Sequence, residues 1–298
     1  MSNRIVAISV AVPACRRSAE LRSTLERLHA CHPAPAEILV HLDGNDNSLR
    51  SLVETEFPSV RVLHSDSLIG PGGARNKMMQ EARYDWVAHF DDDSFPHDVD
   101  YFARAWSLIT RFPDLAVFCA SILPFENLNE SDFWLQAYYP GCGHLMNRAW
   151  FQKTKGYLRL PVAYNLEEVD VSIQLCDLGG RCLQSGMLRV FHDHPPAPRE
   201  DEQTQAAIMI NTIIFPLLRF PLLLLPQAFG SVFRRMFRLA LLGEWMVLKT
   251  TFIELPSALR HYLPMRFPVR FSAAFSWLLL RHRPVRIRPV SSTMKYEY

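Results

Sequence analysis

The sequence predicts an α/β protein built on a mostly parallel sheet, followed by a helical, basic, amphipathic C-terminal region. Three observations carry this. Apolar, β-branched runs alternate with helix-periodic segments from residue 4 to about residue 112, as strands wrapped by helices do. Carboxylates gather where those runs stop, above all in "HFDDDS" (89–94). The charge is divided: residues 205–298 hold 13 Lys and Arg against Glu244, Glu254 and Glu297, a surplus of +10, while the first 204 residues carry −8. The expected organisation is therefore an α/β domain over 1–204 and a helical region over 205–298.

"RIVAISVAVP" (4–13) is a buried strand stopped by Pro13. "SAELRSTLERLHAC" (18–31) sets Leu21, Leu25 and Leu28 on one helical face, with Ser18 as N-cap. "AEILVHLDG" (36–44) is the second strand, helix-like "SLRSLVETEF" follows, and "VRVLHSD" (60–66) is the third. "GPGGARNKMMQEAR" (70–83) turns on glycine into a helix, and "DWVAHFDDD" is the fourth strand. A parallel sheet presents the carboxyl ends of its strands at one rim, where ligands bind. Pro13, Asp43 and Asp91–Asp93 are expected to meet there.

The plain reading of three adjacent carboxylates is a solvated acidic turn. At a strand end they can instead hold a hard divalent cation, Mn²⁺ or Mg²⁺, through oxygen. A calcium loop does not fit, because neither this stretch nor "DGNDNSLRSLVE" (43–54) has the required glycine. Farther on, Leu166, Val169, Ile173 and Cys176 recur at helical spacing, with Glu167, Glu168 and Asp170 at the helix start. The helix dipole favours acids there, but capping accounts more readily for one acid than for three. "MLRVFHDH" (187–194) reads as a strand ending in His192 and His194, whose imidazoles could complete a metal site begun by carboxylates.

Taken in order, "EILVHLDGND", "GPGGARN", "HFDDDS", "GCGHLMNRAWF", "NLEEVD" and "VFH" resemble glycosyltransferase family 2 over roughly residues 4–195. The resemblance implies a GT-A fold and a metal-dependent, inverting transfer of a hexosyl or deoxyhexosyl group from a nucleotide-sugar donor to a hydroxyl acceptor. It places Pro13 and Asp43 at the nucleotide, Asp43 on the base, although Leu42 stands where the family commonly has a second acid. It puts Arg75 near the nucleotide and makes Asp93 the principal metal ligand, with Asp91 or Asp92 on ribose or metal. Gly143 is implied as backbone close to the donor sugar, and His192 as a group touching metal or diphosphate. Glu168 stands at the catalytic base, usually Asp in the family. Such a set answers a chemical need. A cation offsets charge growing on the leaving diphosphate, and a carboxylate on the opposite side takes the acceptor's proton.

In the tail, residues 206–226 are apolar but broken by Pro216, Arg219, Pro221 and Pro226. An interfacial or re-entrant element is expected rather than a span, which needs about 20 uninterrupted apolar residues. Residues 229–255 and 266–288 mix Phe, Trp and Leu with Arg, as helices lying on anionic membrane surfaces do; core packing or an oligomer interface is the alternative. The six cysteines contain no CxxC pair, which suits a reducing compartment, and the first apolar run is short for a signal peptide. The expectation is a cytoplasmic protein, peripheral at the inner face of the membrane, acting on lipid-linked glycans in cell-surface polysaccharide or glycolipid synthesis. No nucleic-acid-binding motif accompanies the basic residues. Two rivals stay open. One is a nucleotidyltransferase on a similar sheet, although "PACRRSAE" (13–20) lacks that class's Gly-rich, Lys-bearing turn. The other is a non-enzymatic, cation-binding membrane-surface scaffold.

Overall fold

The computed structural model describes residues 5–126, 128–159, 166–193, 202–290 and 293–296, so His194 lies outside the described residues. Its first half alternates as the sequence predicts: β1 (Ile5–Ala14), α1 (Ser18–His29), β2 (Ala34–Asp43), α2 (Asn47–Glu56), β3 (Arg61–Ser65), α3 (Gly70–Glu81) and β4 (Trp86–His89). These four strands lie in the order β3-β2-β1-β4, all parallel. Successive side chains of a strand point to opposite faces. Val10 and Val12 accordingly join α1's Leu21, Leu25 and Leu28 in one core, while Ala11 and Leu39 meet α3's Met78 and Met79 in another. Two details differ from expectation. Pro13 lies inside β1, which ends at Ala14. Ser18 is the first helical residue, and Arg17 takes the cap position with no side-chain cap.

Beyond β4 the sheet becomes mixed. A short β5 (Ser94–Pro96) and α4 (Tyr101–Arg111) lead to β6 (Val117–Leu123), β7 (Phe133–Gln136), β8 (His144–Asn147), α5 (Arg148–Gln152), α6 (Glu167–Asp177) and β9 (Cys182–His192). β8 runs antiparallel between β4 and β6, and β9 runs parallel to β6. β5 pairs with β9 so that Ser94 lies opposite His192.

The C-terminal region forms α7 (Glu202–Arg219), α8 (Leu225–Leu241), α9 (Trp245–Tyr262) and α10 (Phe271–His282), then β10 (Val285–Val290) and β11 (Thr293–Tyr296). It does not stand apart. Ile210, Ile214, Leu218, Tyr262, Ala274 and Trp277 share one core with Leu158, Leu166 and Ile173 around α6. Full burial of such side chains stabilises by roughly 1.5–3 kcal/mol each. The apolar run at 206–219 is thus largely a core helix rather than an interfacial element. Arg219, an interruption in the sequence pattern, is buried and donates to both oxygens of buried Asp170, at 2.5 and 3.0 Å. The end of the basic stretch "RHRPVRIR" is strand, not helix: β10 extends the sheet beside β7, with Val285 opposite Leu135. Among the described residues no helix is long and apolar enough to cross a membrane.

Candidate active site

Parallel strands bring β1, β2 and β4 to one rim, where a cleft of about 460 Å³ opens. It is lined by Pro13, Asp43, Arg75, Asp91, Asp92, Asp93, Glu168 and His192, all but one of the site residues that the family resemblance implies. The exception is Gly143, whose neighbours Gly141 and Cys142 line the cleft instead. Gly143 has φ +70°, and a Cβ there would meet Ile122 Cδ1 at 2.8 Å. Only glycine takes that conformation without strain, so Gly143 acts by aiming the two residues before it. At Gly141 a Cβ would lie 3.0 Å from Glu168 Oε1 and 3.3 Å from Arg75 Nη2, so this is where bare backbone approaches the acidic wall.

The acidic turn is pinned by local hydrogen bonds. Ser94 Oγ accepts from Asp91 N at 2.7 Å, and Thr24 Oγ1 of α1 donates to the Asp92 carbonyl at 2.9 Å. Arg17 bridges the two inner carboxylates: it donates to Asp92 and, at 2.5 Å, to Asp93 Oδ2. The β5–β9 pairing sets His192 Nε2 3.2 Å from Asp93 Oδ1. These contacts split the pair. Burial pushes Asp92 up to about 7 despite Arg17. Burial also pushes Asp93 upward, but the His192 hydrogen bond and Arg17 outweigh it and hold it at about 2. The hydrogen bonds to Asp93 and Cys142 raise His192 to about 10.

Across the cleft, buried Arg75 of α3 joins the two walls. It donates to Asp91 Oδ1 at 2.6 Å and to Glu168 Oε1 at 2.7 Å. Burial raises Glu168, and Arg75 opposes the rise. Its neighbour Glu167, also lining the cleft, is pushed up to about 8 by burial. Asp170 points elsewhere, to Arg219 and Gln174. The three acids at the head of α6 therefore divide: two face the cleft and one locks the tail. Asp43 accepts from Ser65 Oγ at 3.0 Å and from the Ile69 and Gly70 amides at 2.8 Å, holding the start of α3 against the rim.

Among the cleft residues that the sequence does not single out, Arg17, Gly141 and Cys142 bear most on the chemistry. Arg17 follows the first strand at the rim that carries the triple aspartate, a signal available in "CRRS" (15–18). Gly141 and Cys142 directly precede Gly143, but nothing in their spacing says which of the three faces the cleft. As a test of cation binding, the donor set is suitable: carboxylate, imidazole and thiol atoms of Asp91, His192 and Cys142 all lie within 4.8 Å of one another, and the Asp93 carboxylate adjoins His192.

Comparison with known proteins bears on the family and the fold. The family model described as glycosyl transferase family 2 matches residues 9–157. A curated relative, glycosyltransferase AglD of Haloferax volcanii, is 33% identical over 96 residues, which are 30% of this chain and only 15% of that protein's length. The mannosyltransferase PcManGT from Pyrobaculum calidifontis, solved with GDP-Man and Mn²⁺, superposes with a TM-score of 0.58 at 12% identity, covering 94% of this chain and 88% of that one. GalNAc-T7 with UDP, GalNAc and Mn²⁺ gives 0.54 at 14% identity over 71% of this chain and 50% of that one. TarS of S. aureus (1–349) with UDP-GlcNAc gives 0.52 at 13% over 69% and 65%. At these identities the structural likeness is one of fold.

Proposed function

The chain belongs to glycosyl transferase family 2, and from that premise we propose that it is an inverting glycosyltransferase moving a sugar from a nucleotide-sugar donor to a hydroxyl acceptor. The observation that carries the reading is the two-walled cleft: Asp91, Asp93 and His192 on one side, Glu168 on the other, and Arg75 joining them. Asp91, Asp93 and His192 would hold Mn²⁺ or Mg²⁺, which when bound offsets charge on the leaving diphosphate. Asp43 and Pro13 border the nucleotide, with Asp92 toward its ribose. Arg75 keeps Glu168 oriented and opposes the upward push of burial on its carboxyl. Glu168 takes the acceptor hydroxyl's proton as the sugar is attacked from the opposite side. A base on one wall and a cation site on the other fit single displacement with inversion, which requires no carboxylate nucleophile. Incubation with sugar nucleotides and Mn²⁺ should release a nucleoside diphosphate; no such release, together with pyrophosphate formed from a nucleoside triphosphate and a sugar phosphate, would identify a nucleotidyltransferase. Asp93→Asn should abolish Mn²⁺-dependent binding of the nucleoside diphosphate with the fold intact. Unchanged calorimetric affinity would defeat the metal assignment.

The tail is proposed to hold the enzyme peripherally on the inner face of an anionic membrane, where lipid-linked glycans are the acceptors. Support comes from the faces that α8 and α9 leave uncovered. Phe233, Phe237, Leu241 and Trp245 are each more than 60% exposed, and exposed Arg234, Arg235, Arg238 and Lys249 lie among them. Apolar side chains inserting between headgroups, flanked by cations, match an anionic lipid surface. The full chain should sediment with phosphatidylserine vesicles, less in high salt because of screening. Phe233→Ser with Phe237→Ser should release it. A chain that ignores vesicles but dimerises, and loses the dimer in that variant, would make a second copy the partner.

A further inference from the structure

Cys142 has no part in the reading above, yet it occupies the cation site. Its thiol is buried at 4% exposure, lines the cleft, and hydrogen-bonds His192. Its Sγ converges with donor atoms of Asp91 and His192 to within 4.8 Å. A tetrahedral cation sets nitrogen and sulfur ligands roughly 3.5 Å apart, so the three donors are close enough for one cation to draw them together.

Nor is the thiol there by accident of a loose loop. Gly143 packs its α-carbon against Ile122 and Val190. Its amide donates to the His89 carbonyl at 2.8 Å, and its carbonyl accepts from Ala120 N at 2.8 Å. Cys142 is therefore held by the strands β4 and β6 on either side. His192 is held in turn by Asp93, the carboxylate–imidazole arrangement that orients histidines at metal centres.

Resting on the reading of this cleft as a nucleotide-sugar site, we propose that Cys142 is a direct ligand of the cation together with Asp91 and His192, so that the site prefers cations that accept sulfur, namely Co²⁺ and Zn²⁺, over Mg²⁺. Thiolate is a soft ligand that Zn²⁺ and its neighbours tolerate, whereas Mg²⁺ demands oxygen and gives up its water reluctantly. On binding, the sulfur–metal bond forms and the thiol proton passes to solvent; no electron moves.

The test is a titration of the full-length protein with Co²⁺ in the presence of UDP or GDP, read by near-ultraviolet absorption and by calorimetry. A thiolate-to-cobalt charge-transfer band should grow with occupancy. It should vanish in Cys142→Ser and Cys142→Ala, and persist in Cys15→Ser, which removes the other thiol at the cleft. Competition should show Zn²⁺ binding weakened on the order of 10- to 100-fold in Cys142→Ser, at least the loss seen when groups that merely orient ligands are removed, with Mg²⁺ binding unchanged. Calorimetric Co²⁺ binding without the band, or a band that survives both Cys142 variants, overturns the proposal while leaving the enzyme reading in place. Absence of any cation binding with either nucleotide overturns both.

Discussion

Glu168→Gln is expected to lower turnover by about 10²–10⁴-fold, the usual effect of removing a positioned base, or roughly 3–5 kcal/mol of barrier. The side chain keeps its size, and its amide oxygen can still accept from Arg75 Nη1, now 2.7 Å from Glu168 Oε1. Arg75 retains Asp91 as a charged partner. Donor affinity should therefore stay within a few-fold, since Asp43, Asp92 and Asp93 are untouched. Burial raises Glu168 against Arg75's opposition. Turnover should accordingly fall on the acid side as the base is protonated, with that limb above the ordinary glutamate range, and the limb should disappear in the variant. Asp170 is no rival, because it is buried against Arg219. Glu167 is one, because it also lines the cleft. If Glu167→Gln abolishes turnover and Glu168→Gln does not, the base is the preceding residue. If neither variant loses activity, the mechanism is wrong.

Arg219→Met is expected to destabilise the whole chain by about 3–5 kcal/mol, because it strands the Asp170 carboxylate in the interior. The pair is 1% and 0% exposed and ties α7 to α6, the helix that carries Glu168. At roughly 2–4 °C per kcal/mol for a large domain, the thermal midpoint should drop by roughly 6–20 °C. Arg219→Met combined with Asp170→Leu should recover much of the loss, since an apolar pair of similar volume needs no desolvation of charge. Breaking the half-exposed Arg22–Glu56 pair should leave the midpoint almost unmoved. A drop for Arg219→Met no larger than for that surface pair would show that the tail is not locked to the catalytic part through this contact.

The sequence by itself determined the parallel half of the fold and most of the rim. Strand periodicity and helix periodicity are local properties of the chain, and a parallel sheet leaves only one edge for the strand ends. Pro13, Asp43 and Asp91–Asp93 were therefore bound to meet there once β1, β2 and β4 were recognised. Glu168 and His192 were legible as an acid at a helix start and a histidine at a strand end. Which neighbour faces the cleft was not legible. The choice between Glu167, Glu168 and Asp170 depends on what α6 packs against, and Arg219, 49 residues after Asp170, takes one acid out of contention. Cys142 rather than Gly143 reaches the cation site because Ile122 and Val190 leave no room for a side chain at 143. His192 reaches Asp93 because β5 pairs with β9 across nearly a hundred residues. The tail divided in the same way. Its apolar pattern announces burial or membrane equally, since both remove the same side chains from water. Only the packing of α7, α10 and one face of α9 around α6, with the outer faces of α8 and α9 left uncovered, decided which residues were core.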